Sequence, residues 1–354
     1  MHIQQLTIEN FRNLATQTLN FHPQQNYISG CNGSGKTALL EALYSLGRGK
    51  SFRETQTRHI IAHQKDFYRL IAKIIDDKAE HLLGIERQTR DYRIRLDGEN
   101  LSGLSALADL LPIQMLNSDH FALIDQGPEH RRRFTDYGLF YQDSRFLPAW
   151  QRYQYALKNR NAALRDNWPD EHIRPWHHQL SQTAQLIDQL RQIYLNDLEA
   201  RLNYYHAELG GLETLNIRYH RGWAQDKTLE ELLIQHLPRD RQLKHTRDGI
   251  HRAEWRIYAQ EQDIAHYFSR GQQKTLLCAL ILAQNQVIQE SSGKQPIILI
   301  DDITAELDPK RRELLLQFLT DSGAQLFITS IEALDTPKNR QHFFIQAGQL
   351  TPQS

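Results

Sequence analysis

The sequence predicts an α/β fold whose core is built from both ends of the chain, with a helical insertion between them. Three observations carry this. A glycine-rich loop, Gly30 to Thr37, stands between a short β-type run and an amphipathic helical run. An apolar run, Pro296-Ile-Ile-Leu-Ile, ends in two carboxylates, Asp301 and Asp302, the pattern of a parallel strand buried on both faces. Between these two, residues 129–208 hold almost no turn signal apart from WPDEHIRP at 168–175.

Residues 1–30 read as strands, since LTIENF alternates and NYIS is a β-type run ending at Gly30. In TALLEALYSL, Leu39, Leu40, Ala42, Leu43 and Leu46 recur at helical spacing, and Gly47 is the expected stop. FYRLIAKII, LLGIER and YRIRL predict a meander of strands at 67–75, 82–87 and 92–96, with DGEN at 97–100 as a turn. A short helix is expected at 103–111 and a strand at 112–116. The Gln-, Arg-, Leu-, Ala- and Tyr-rich stretch 129–208 predicts an arm of two or three long helices. Its apolar positions do not keep strict heptads, which argues against a long coiled coil. Strands follow at 214–220 and 251–258, then a helix at 271–290, a strand at 296–300, a helix at 308–320 and strands at 324–329 and 342–346. The expected division is 1–116 and 239–354 as the two parts of the core, with 117–238 as the arm.

Composition narrows the function. Forty-two basic and forty-two acidic residues cancel, which excludes a globally basic nucleic-acid binder and leaves room for a local patch. No apolar run approaches the roughly 18–20 residues of a membrane span, and MHIQQLTIENF lacks the organisation of a secretory signal. Two cysteines cannot make a disulfide framework, so a cytoplasmic setting is the expectation, with Cys31 and Cys278 packing residues. No Cys/His spacing matches a zinc site, and the adjacent His177 and His178 would point apart on a helix.

Gly30-Cys31-Asn32-Gly33-Ser34-Gly35-Lys36-Thr37 fits G-x-x-x-x-G-K-[ST]. Its glycines allow a backbone whose N–H groups converge on phosphate oxygens, and the helix behind adds its positive end. Lys36 is expected on the β- and γ-phosphates and the Thr37 hydroxyl on Mg²⁺. Asp301 is expected to hold the same Mg²⁺, and Asp302 stands where a general base could polarise the attacking water. Ser269-Arg270-Gly271-Gln272-Gln273-Lys274 opens a helix and is either an ordinary helix start or a second anion site.

The order P-loop, SRGQQ, IILIDD, Glu306-Leu307-Asp308 resembles the ATP-binding-cassette head, with Walker A, signature, Walker B and D-loop in that order. The spacing of 233 residues from Lys36 to Ser269, and Thr329-Ser330 where transporters carry a switch histidine, disfavour a transporter ATPase subunit. An SMC-like nuclease-complex subunit would need a longer coiled coil. ENFRNL, LGRGKSFR, GPEHRRRF, KNRNAALR, RDRQL and FSRGQQKTLLCALILAQ together resemble the RecF family of bacterial DNA replication and repair proteins, over essentially the whole chain.

That resemblance implies an ABC-type P-loop ATPase head, SMC-like, with an inserted helical arm. It implies a weak, DNA-stimulated ATPase that binds ATP and Mg²⁺ and dimerises on ATP. It further implies binding to DNA at single-strand/double-strand junctions, action with RecR and RecO to load RecA at gaps, and a cytoplasmic, nucleoid-associated location. It carries Arg12 over as a phosphate contact, with a surface salt bridge as the alternative, and Gln114 as the Q-loop glutamine near Mg²⁺ and the attacking water. Ser269, Gly271 and Gln272 become the signature that covers the partner's γ-phosphate, and Asp308 a D-loop residue. Arg131, Arg132 and Arg133 could bind DNA phosphates or form a solvated face. Lys158, Arg160 and Arg165, near Tyr153 and Tyr155, form a second basic stretch. The sequence departs from common cassette heads in its Asp-Asp pair and in Arg270 within the signature.

Overall fold

The computed structural model describes residues 1–76, 79–101, 103–117, 121–303, 307–332 and 340–353. The chain divides into two compact units, Met1–Asp119 with Gly293–Ser354, and His120–Ser292.

Among the described residues the first unit holds two six-stranded sheets. One runs in the order Gln349–Gln353, Gln341–Gln346, Gln25–Ser29, Leu326–Ser330, Ile297–Ile300, Ile113–Leu116. Every residue of its four strands Gln25–Ser29, Leu326–Ser330, Ile297–Ile300 and Ile113–Leu116 is buried, which explains the unbroken apolar run of Ile297–Ile300. These four strands are parallel, and their register aligns Ser29 with Ser330, Ile300 with Ile328 and Ile300 with Leu116. Their C-terminal ends therefore finish at one edge, where ligand sites of parallel sheets form.

The other sheet is antiparallel and includes His2–Glu9, Phe67–Ile75, Glu80–Gln88 and Tyr92–Leu96. Along Phe67–Ile75 the alternation puts Tyr68, Leu70, Ala72 and Ile74 into the core. Helix Lys36–Arg48 joins the same core through Leu39, Leu40, Leu43 and Leu46. Gly47 does not stop this helix. It lies inside, where a Cβ would sit 2.3 Å from the Leu111 carbonyl oxygen, and Gly49 at φ +62° caps the end.

The second unit holds helices Pro128–Gln142, Phe146–Arg165, Asp170–Glu208 and Arg270–Ser292, with a small sheet of Gln262–Asp263, Glu254–Ala259 and Leu215–His220. Two short helices, Leu229–Gln235 and Leu237–Leu243, fall where no element was expected. The first opens with a capping box between Thr228 and Glu231. The core does not resume at residue 239 but at Gly293. Strand Glu254–Ala259 pairs antiparallel with Leu215–His220, and Arg270–Ser292 packs along Asp170–Glu208, so 239–292 is bound into the arm's unit.

Candidate nucleotide-binding site

The loop from Gly30 to Gly35 carries the conformations its glycines allow. Gly33 has φ +77° and Gly35 φ +119°, both in the region an L side chain avoids. At Gly30 an added Cβ would lie 2.4 Å from the Ile345 carbonyl oxygen. Ser34 accepts the Gly348 N–H at 2.8 Å, and the Asn13 amide donates to the Gly33 carbonyl at 3.2 Å, so the loop is braced from two sides. Cys31 and Asn32 face solvent. Lys36 opens the helix and is buried. Its ammonium donates to the Gly30 carbonyl at 2.6 Å and the Cys31 carbonyl at 3.1 Å, holding the charge at the mouth of the loop.

Thr37, next on the helix, donates its hydroxyl to Asp301 Oδ2 at 3.0 Å. Thr329 donates to Asp301 Oδ1 at 2.7 Å and accepts the Asp302 N–H at 2.9 Å. The Thr37 hydroxyl also lies 3.3 Å from Asp301 Oδ1, so two hydroxyls together orient the Asp301 carboxylate, and the two aspartates are tied to one threonine. Asp302 adopts φ +52°, a costly conformation for a non-glycine residue that is held here by the bond to Thr329. Thr37 and Asp301 together offer the hard oxygen donors that Mg²⁺ takes. Thr329 entered the sequence reading only as a missing histidine. The parallel pairing of Leu326–Ser330 with Ile297–Ile300 is what sets it beside Asp301.

Gln114 is not in a loop. It lies inside strand Ile113–Leu116, buried, in register with Ile298. Asp301 is three residues farther along, about 10 Å at strand rise, and its N–H bonds to the Leu116 carbonyl at 2.9 Å. The polar residue that follows Leu116 is the buried Asn117, which the sequence reading passed over.

Arg12 forms a forked pair with Glu41, whose side chain is fully buried, at 2.9 and 2.7 Å, and donates to the His59 carbonyl at 2.6 Å. Its guanidinium is engaged within the fold rather than presented openly to a phosphate. Glu41 sits one turn after Thr37 on the same helix face and was not singled out from the sequence. Asp308 caps helix Pro309–Asp321 by accepting the Arg311 N–H at 3.1 Å. That backbone bond comes first in holding its carboxyl below the usual range. Glu306 lies outside the described residues.

In the second unit, Ser269 and Gln272 bond reciprocally at the start of helix Arg270–Ser292. Ser269 N–H donates to Gln272 Oε1 at 2.9 Å, and Gln272 N–H to Ser269 Oγ at 3.4 Å. Ser269, Arg270 and Gly271 are exposed, and a Cβ on Gly271 would meet no atom within 4 Å. The helix start is therefore both well capped and open.

The arginine clusters part company. Arg131 is buried and forks onto Glu254 at 2.7 and 2.9 Å, Arg132 donates to the Ala253 carbonyl at 2.8 Å, and only Arg133 stands out on an exposed face beside Glu129. Arg160 is fully buried and bonds Asp240 and Thr246, so it is not a phosphate contact, and Tyr153 is likewise buried. Lys158, Arg165 and Tyr155 remain exposed.

The profile of the RecF/RecN/SMC N-terminal domain family matches residues 2–347. The chain is 35% identical to the DNA replication and repair protein RecF of Shewanella loihica, covering 99% of both chains. It is 36% identical to that of Cronobacter sakazakii, covering 99% of this chain and all of the relative. Its fold matches a structure of the recombination mediator protein RecF with ATP at TM-score 0.91 and 24% identity, covering 100% of this chain and 98% of that one. An Smc head bound to the C-terminal winged-helix domain of ScpA matches at TM-score 0.62 and 14% identity, again over 100% of this chain and 98% of that one. Among the described residues no helix is long and apolar enough to cross a membrane.

Proposed function

The chain belongs to the RecF family, and from that premise we propose that it is an ATP-dependent DNA-binding protein of recombinational repair and replication. In this reading ATP draws two copies into a homodimer that binds gapped or junction DNA and acts with RecR and RecO to help load RecA. ATP turnover is slow and stimulated by DNA. The observation that carries the reading is the convergence of Thr37, Asp301 and Thr329 behind a complete phosphate-binding loop, in a chain 35% identical to RecF proteins over its full length.

The geometry supports the following division of labour. The Gly33–Lys36 backbone and the Lys36 ammonium bind the β- and γ-phosphates. Thr37 and Asp301 are the residues that would hold Mg²⁺, which when bound neutralises charge developing on the phosphates. Thr329 fixes the rotamer of Asp301. Asp302 accepts the proton of the attacking water at its carboxylate. The exposed Ser269–Gln272 helix start faces outward for the γ-phosphate of a second copy, which makes hydrolysis depend on dimerisation.

Sedimentation with ATP, with ADP and without nucleotide, each with and without a gapped duplex, tests this. A dimer that forms with ATP alone and carries gapped DNA supports it. A monomer in all six conditions, with no DNA bound, overturns it.

A further inference from the structure

Helix Phe146–Arg165 is twenty residues long and contains four cations and no carboxylate, in a chain whose charges otherwise balance. One of the four, Arg160, turns inward to Asp240 with no exposure on either side. The other three, Arg152, Lys158 and Arg165, are exposed, and no carboxylate among the described residues pairs with them. Their spacing spreads these three and Tyr155 over about 140° of the helix circumference, along about 20 Å of helix axis. The helix packed beside it, Asp170–Glu208, has no carboxylate from 172 to 187. From that helix Trp176 meets Tyr155 edge to face at 6.0 Å. Tyr155 is nevertheless 61% exposed, so its ring stands outward between Arg152 and Lys158, supported from behind by Trp176.

We propose that the outer face of helix Phe146–Arg165 docks single-stranded DNA, with Arg152, Lys158 and Arg165 on phosphates and the Tyr155 ring stacked on an unpaired base. This rests on the DNA-binding reading above and names the surface and the strand. Cations alone would serve a duplex equally well. An aromatic ring projecting between them favours a strand whose bases are free to stack, because duplex bases are already stacked on one another.

The test uses the full chain with ATP, a fluorescent oligo-dT and a blunt duplex of equal length, titrated over a range of salt. Tyr155→Ala is expected to weaken oligo-dT binding by about 5- to 150-fold at an unchanged salt slope, and to leave duplex affinity unchanged. Tyr155→Phe is expected to keep the affinity. Charge reversal at Arg152, Lys158 and Arg165 is expected to make the oligo-dT salt slope shallower by about 2. Retained ATP affinity in each variant reports that the chain is folded. Wild-type oligo-dT affinity in Tyr155→Ala, an unchanged slope in the triple variant, or equal losses for duplex and oligo-dT overturn the proposal. Wild-type protein that binds neither DNA overturns the DNA-binding reading itself.

Discussion

Arg160 and Asp240, eighty residues apart in sequence, form an ion pair at 2.8 Å with neither side chain exposed. Thr246 and the Leu233 carbonyl take further guanidinium donors at 2.7 and 3.3 Å. Two charges removed from water are tolerated only when paired, so truncating one partner strands the other. Asp240→Ala is expected to destabilise the protein by about 3–5 kcal/mol, read as a lower urea midpoint. The double variant Arg160→Leu with Asp240→Leu is expected to cost less than that single change. A loss under about 1 kcal/mol in Asp240→Ala would show that the pair does not carry the arm's stability.

The Lys36 ammonium is the buried cation at the mouth of the loop. Lys36→Ala removes a charge-assisted contact to phosphate, a loss of about 1.5–3 kcal/mol or roughly 10–150-fold in ATP affinity. Calorimetry on the variant checks this, and wild-type affinity would remove the P-loop assignment.

Thr329 meets the nucleotide site through the Asp301 carboxylate and the Asp302 N–H. Thr329→Val keeps the shape and deletes both bonds. Because partners that orient metal ligands typically matter 10–100-fold, the Mg²⁺ concentration for half-maximal ATPase should rise by about that factor. Nucleotide binding without Mg²⁺ should be unaffected, and Thr329→Ser should restore the wild-type curve. An unshifted Mg²⁺ curve in Thr329→Val would leave Asp301 oriented by something else.

The parts legible in the sequence are those where local pattern and tertiary role coincide. The loop Gly30–Thr37 needs its glycines for backbone reasons, and the strand Ile297–Ile300, buried along its whole length, is apolar throughout, so both announce themselves. Charged residues do not. Arg131, Arg132 and Arg133 read as one basic cluster, yet helical geometry sends Arg131 inward to Glu254 and Arg133 outward. Arg160 and Asp240 sat in two separately recognised blocks whose meeting depends on chain contacts that no local spacing encodes. Thr329 was visible but mute, because its role arises from the parallel register that sets it beside Asp301. The unit boundary at Gly293 was hidden for the same reason. Strand Glu254–Ala259 commits to Leu215–His220 through a pairing across more than thirty residues.

Two histidines of the arm's unit carry a pH prediction. His177 and His251 are both lowered from 6.5 to about 4, in each case first by burial. Arg160 and Arg174 push His177 down against Asp170. His251 accepts the Tyr153 hydroxyl at 2.6 Å and faces Arg252, Arg132 and Asp248. With folded values below the unfolded value, the unfolded chain takes up protons first as the pH falls. Their contribution to stability is therefore present above about pH 6.5 and is lost progressively toward pH 4. In His177→Phe that contribution from residue 177 is absent, so the gap between wild-type and variant urea midpoints is expected to shift in favour of the variant across this window. A gap constant from pH 7 to 4.5 would mean that His177 titrates like a solvated histidine.

The sharing of one ATP between two copies makes the most discriminating prediction. Ser269 is exposed, and among the described residues the only side chain bonded to it is that of Gln272 on its own helix start. Ser269→Arg therefore leaves the chain's own phosphate loop, with Lys36, Thr37 and Asp301, intact. Monomeric Ser269→Arg should fold and bind ATP like the wild type, because the substituted side chain has open space. It should fail to dimerise on ATP, since a long cation would fill the seam where the serine hydroxyl and the helix start meet the partner's γ-phosphate. Mixing Ser269→Arg with Lys36→Met sharpens the test. In the mixed dimer one composite site carries both lesions and the other carries neither. ATPase activity in the mixture above that of either variant alone supports a site built across two copies. A direct loss of ATP affinity in monomeric Ser269→Arg would instead put the serine against the nucleotide of its own chain, and the dimer-dependent mechanism would fail.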